Sequence, residues 1–124
     1  MPQRGTLSAL STSELVERFA SMGVEQDKAL LMDEIAKVNQ LYWKMDAIRN
    51  ELKSRPGDQR RALLALYDHP NMQVRLRAAK STLAVAPQAA RQILENIVRW
   101  QWHPQMLDAG MCLKALDEGT FVPT

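Results

Sequence analysis

From Val24 to Arg55 the chain contains neither proline nor glycine, and within that window Leu31, Ile35, Val38, Tyr42, Met45 and Leu52 recur at spacings of three, four or seven. Side chains at those intervals return to one side of an α-helix, so the window predicts a single long helix from Glu25 to Lys53. At 1.5 Å per residue such a helix would be roughly 40 Å long, which leaves a kink or break near its start as the alternative. Just before it, "STSELVERFASMG" sets Ser11 and Glu14 at capping-box spacing and places Leu15, Phe19 and Met22 on one face. With Gly23 as the stop, a short first helix is expected over Thr12 to Met22.

Legible breaks divide the rest. "SRPGD" reads as a turn, with Asp58 as N-cap of "QRRALLALY". A fourth helix starts near Asn71 or Met72 and ends before Pro87, which suits the first turn of a fifth, "PQAARQILENIVRWQ". After His103 and Pro104, "QMLDAGMCLKALDEG" forms a sixth with Gly119 as C-cap. No segment alternates apolar and polar residues as a strand requires, so the expected class is all-α with about six helices. With 124 residues and 46% apolar content, one domain is expected. The expectation also includes a cytoplasmic setting: no apolar run spans a membrane, "MPQRGTLSAL" lacks a signal-type core, and the single cysteine, Cys112, forms no intrachain disulfide.

An internal echo sharpens the architecture. His69-Pro70-Asn71-Met72 aligns with His103-Pro104-Gln105-Met106, and at the same offset Lys80 falls on Lys114. Each copy follows a helix and opens another, which predicts a short α-solenoid of two stacked hairpins over residues 58–118. The helical pair over 12–53, one short helix and one long, would then cap its exposed end.

"DHPNMQVRLRAAKSTLA" resembles the second helix of a HEAT-type repeat, with Asp and Pro in the turn, then Val-Arg, Ala-Ala and Leu. More widely, "LVERF", "QDKALLMDEIAKVNQLYWKMDAIRNELK", "DHPNMQVRLRAAKSTLAVAP" and "LDAGMCLKALDEGTFVPT" are similar to a family of short bacterial helical proteins catalogued only as a domain of unknown function. That resemblance covers roughly residues 12 to 124 and implies a HEAT-like fold with no catalytic residues to carry over. The second hairpin departs from the HEAT pattern, with Leu107-Asp108 in place of Val-Arg. The HEAT resemblance further implies a structural pair between Arg75 and the turn residue Asp68.

Between Arg55 and Arg91 lie seven basic residues, Arg55, Arg60, Arg61, Arg75, Arg77, Lys80 and Arg91, against two acids, Asp58 and Asp68, in a chain whose net charge is only +2. On a helical projection of the fourth helix, Val74, Ala78, Ser81 and Val85 occupy one side and Met72, Leu76, Ala79 and Leu83 the other. Arg75 falls between these faces and is assigned to folding. Gln73, Arg77 and Lys80 share the remaining polar stripe, and Arg77 and Lys80 are expected to contact a partner.

Tryptophans supply the other candidates. Trp43 lies off the main seam of the long helix with Ala29, Met32, Ala36 and Ala47, a narrow face that either another helix of the chain or a partner protein fills. Trp102, at a helix end, is the second candidate anchor, while Trp100 is expected in the core with Ile93 and Ile97. His69, His103 and Cys112 have no metal-site spacing, and neither a phosphate-binding loop nor a nucleophile motif is present, so no enzyme, cofactor or metal is expected. The expected function is a non-enzymatic protein-binding helical-repeat module, an immunity or antitoxin-like protein being one form, with an acidic protein as partner. Binding of nucleic-acid backbone along the basic segment 55–91 is the alternative.

Overall fold

The helix that begins at Ser11 does not stop at Gly23. In a computed structural model, which describes residues 7–124, α1 runs over Thr12–Leu31 and α2 over Ile35–Ser54. The first six residues, part of the stretch read above for a signal-type core, lie outside the described ones. A 3-10 helix follows at Gln59–Leu66, then α3 at Met72–Thr82, α4 at Pro87–Arg99 and α5 at Gln105–Glu118, with no strand among the described residues. Among the described residues, the all-α class and the six helices over 12–118 are as expected. Two compact units are formed, one reaching to Leu63 and one from Leu64 to Thr124.

In the first unit the capping box is complete: the Ser11 hydroxyl accepts from the Glu14 backbone N–H at 3.0 Å, and the Glu14 carboxylate accepts from the Ser11 N–H at 2.8 Å. Gly23 belongs to the buried stripe Leu15, Phe19, Gly23, Gln26 and Ala29, which faces α2 and carries α1 onward for two more turns. Its end is a left-handed turn built on Asp33, with φ 59°. The Asp33 N–H donates to the Leu30 carbonyl at 3.2 Å and the Glu34 N–H to that of Ala29 at 2.9 Å, the paired bonds of a Schellman motif. Aspartate stands where glycine is usual, so the single long helix expected over Glu25 to Lys53 is two antiparallel helices with a tight corner between them.

That corner splits the expected seam. Leu41, Met45, Ile48 and Leu52 form the buried side of α2, whereas Leu31, Ile35 and Tyr42 are exposed. At 100° per residue Ile35 and Tyr42 lie roughly 90 to 110° around the helix from the centre of that buried side. Gln26, also buried, spans the pair by donating from Nε2 to the Val38 carbonyl at 3.1 Å. Arg55 ties down the chain leading into α1: its Nη2 donates to the carbonyls of Leu7 at 3.0 Å and Leu10 at 2.6 Å, and its Nε to Glu51 at 2.9 Å. Asp58 has φ 51° and binds the Arg60 side chain at 2.9 and 2.6 Å.

The second unit is organised by α3. Asn71 caps it, its side-chain oxygen accepting from the N–H groups of Gln73 at 2.9 Å and Val74 at 3.2 Å. Pro87 opens α4 and Gly119 closes α5 in the left-handed conformation, φ 75°, both as the sequence predicts. Helices α3, α4 and α5 pack pairwise around Met72, Leu76, Ala79, Leu83, Ala90, Leu94, Ile97, Ala109 and Cys112. Val74, Ala78 and Ser81, on the opposite side of α3, are buried too. Trp100, expected in this core, is instead exposed just past the end of α4.

Candidate functional site

The polar stripe of α3 faces another helix rather than solvent. Gln73 and Arg77 are buried, Arg77 retaining 9% exposure, and Lys80 is only partly exposed. Across from them α5 contributes Gln105, whose Nε2 donates to Gln73 Oε1 at 2.9 Å, and Asp108, whose carboxylate binds Lys80 Nζ at 2.7 Å. These contacts overturn the placement of Arg77 and Lys80 on a free binding surface: α3 has two apolar sides already buried, and α5 takes the third. The echo between the two His-Pro turns breaks at the same point. Asn71 caps α3 with its side chain, while its counterpart Gln105 is buried inside the first turn of α5 and bonds to Gln73.

Other basic residues are likewise engaged within the chain. Arg75 Nε donates to the His69 carbonyl at 2.6 Å, so it binds the turn through a backbone oxygen and not through the exposed Asp68 that the HEAT resemblance implied. Arg91 bridges Glu95 and Asp117, each at 2.9 Å. Arg55 and Arg60 hold Glu51 and Asp58. Four of the seven basic residues between Arg55 and Arg91 are thereby paired with acids, and Glu51, Asp108, Glu95 and Asp117 come from outside that segment.

Cys112 lies on α5 beside this polar seam and is buried. Burial pushes its thiol above the usual range; Lys80 opposes the shift, Asp108 adds to it and Arg77 opposes it. A protonated, covered thiol is a poor nucleophile. Among the described residues no group of three or more His, Cys, Asp or Glu side chains is arranged to hold a metal ion, and no helix is long and apolar enough to cross a membrane.

Large apolar side chains concentrate instead where α1 turns into α2. Leu31 is 73% exposed, Met32 66%, Ile35 58% and Trp43 66%, with Tyr42 beside them. On α2 the residues opposite the buried Leu41, Met45, Ile48 and Leu52 are Ala36, Asn39, Trp43 and Asn50, flanked by Ile35 and Tyr42. The rings of Tyr42 and Trp43 meet edge to face with centroids 4.9 Å apart. Two small side chains, Ala36 and Ala47, border the indole on its own face. The sequence isolated this face through Trp43, Met32 and Ala36; Ala29, grouped with them on a continuous helix, belongs to α1 and is buried. Trp102, the other candidate anchor, is exposed, as are Trp100, Leu107 and Met111 in the second unit.

What these features define is an all-helical protein with an apolar helix face open to solvent. The chain belongs to the family described as a domain of unknown function, DUF2019, whose model matches residues 13–117. It is similar to the protein RPA1889 from Rhodopseudomonas palustris, known from a crystal structure, with 57% sequence identity and a TM-score of 0.92 over 95% of this chain and 98% of that one. No curated protein matches it.

Proposed function

We propose that this chain is a non-enzymatic, HEAT-like helical-repeat module that works in the cytoplasm by binding another protein through the outward face of α2. The HEAT-like part of the reading is supported by α3, which follows an Asp-His-Pro turn, is anchored by Arg75 to that turn and is buried on both apolar sides like an inner repeat helix. The single observation carrying the binding role is the exposure of Trp43 on a helix that also exposes Ile35 and Tyr42, with Leu31 and Met32 exposed just before it. Isolated surface apolar residues are ordinary, but several large ones exposed around an aromatic pair are costly in water and typical of interface cores.

Binding through such a face would depend on the indole more than on the lysines around it. With the captured partner on a sensor surface, Trp43→Ala should speed dissociation at least about tenfold, since central aromatic anchors contribute about 2 kcal/mol or more. Lys80→Glu should leave association unchanged, because Lys80 is committed to Asp108. Undiminished binding by Trp43→Ala would refute the assignment.

A further inference from the structure

We infer that the occupant of this face is a second copy of the same chain, paired antiparallel about Asn39. The inference rests on the binding role proposed for the face and names its partner.

The order of residues along α2 is self-complementary around that point. Ile35 and Ala36 lie before Asn39 by the same distance as Tyr42 and Trp43 lie after it, and all five are exposed. In an antiparallel pair centred there, Trp43 of each copy lies over Ile35 and Ala36 of the other, a bulky ring against the smallest side chain on the face. The two indoles then stand roughly 12 Å apart along the helices, each filling its own site. At the centre, Asn39 meets Asn39. A carboxamide carries both donors and acceptors, so two related by a two-fold axis satisfy each other, and a single polar residue in an apolar helix seam is a known device for fixing register.

Charge follows the same symmetry. The corner before α2 is acidic, with Asp33 and Glu34 exposed, while the flank beyond Trp43 carries the exposed Lys44. Antiparallel pairing brings the acidic corner of each copy to the level of Lys44 on the other, with the part-exposed Asp46, held by Asn50 Nδ2 at 3.3 Å, as the acid nearest that contact on the lysine's own helix. Lys37 lies at the level of Gln40 and Leu41, most of a turn from that contact. Parallel pairing would instead set lysine against lysine and corner against corner. A two-fold pair also uses one patch twice, which is the commonest way a small soluble chain covers an exposed face.

Sedimentation analysis of the full chain, with Trp43→Lys and Asn39→Cys variants whose helicity is checked by circular dichroism, tests the inference. Wild type should sediment at twice the 14.1 kDa chain mass at high concentration and dissociate on dilution, and Trp43→Lys should remain a monomer of unchanged helicity. Asn39→Cys should form a disulfide-linked dimer on mild oxidation, and adding Trp43→Lys should abolish the crosslink. Wild type serves as the control, because its one cysteine, Cys112, is buried. A wild type that stays monomeric, a dimer that survives Trp43→Lys, or a dimeric Asn39→Cys variant that forms no crosslink would each overturn it. If wild type is monomeric but a different captured protein is lost with Trp43→Lys, self-pairing fails and the binding role stands; if Trp43→Lys loses nothing, both fail.

Discussion

Arg55 and Arg91 both sit in ion pairs, yet their surroundings give them different weights. Arg55 is mostly buried and spends four donor contacts, on Glu51, the Thr12 hydroxyl and the carbonyls of Leu7 and Leu10, so its loss leaves acceptors without their donor. Arg91 bridges Glu95 and Asp117 in the open, where water and salt screen the attraction. Arg55→Ala should therefore cost about 1.5 to 3 kcal/mol in urea unfolding, and Arg91→Ala should leave the midpoint near wild type. Arg77→Ala should also destabilise the fold, because the side chain is buried and near enough to Cys112 of α5 to act on its thiol. The sequence pointed the other way for Arg77. Polar residues at i, i+4 and i+7 show the same periodicity whether the stripe meets water or another helix, and the acids and amides that answer them, Asp108 and Gln105, come from an element about thirty residues away. Arg75 was assigned to folding from its position between two apolar faces, and its tie to the turn was implied only by the HEAT resemblance, which named Asp68 where the His69 carbonyl is the acceptor.

At the scale of the element, end chemistry decides the helix boundaries. Glu14 is held below its ordinary carboxylate range first by the Ser11 backbone N–H and then by the Ser11 hydroxyl. A carboxyl more acidic in the folded chain than in the unfolded one stabilises the fold above its unfolded value, and that contribution disappears as pH falls through the lowered one. Glu14→Gln should thus remove part of the stability loss seen on acidifying below about pH 4.3, measured by thermal melts across pH. The corner between α1 and α2 makes a second case. An aspartate in the left-handed region carries strain that glycine does not, so Asp33→Gly should raise stability by up to about 1 kcal/mol in urea unfolding. That same aspartate hid the corner from the sequence. Gly23, the visible breaker, lies inside α1 because its buried position continues the Leu15-Phe19 stripe, while the real break uses a residue that rarely signals one. Where caps followed the usual chemistry, at Ser11, Asn71, Pro87 and Gly119, the ends were readable to within a residue or so.

At the scale of the whole molecule, the chain commits part of the basic charge between Arg55 and Arg91 to internal contacts and leaves several of its large apolar side chains outside. Two compact units account for the fold, and each carries exposed tryptophan. Class and helix number were legible from periodicity and turn residues, and the family from the resemblance of four sequence segments. The location of the open face was only half legible: Trp43 stood off the seam, but whether the chain itself covered it depended on where α1 ended. Because α1 turns back at Asp33, its buried stripe packs on the Leu41-Met45-Ile48-Leu52 side of α2 and leaves the Trp43 side bare. Hydroxyl-radical footprinting of the assembled complex, whether self-paired or formed with a captured protein, tests that account most directly. The three tryptophans, Trp43, Trp100 and Trp102, are all exposed in the free chain and serve as internal references for one another. The account predicts that assembly protects Trp43 and Met32 from oxidation while Trp100 stays reactive; oxidation of Trp43 at the free-chain rate within the complex would contradict it.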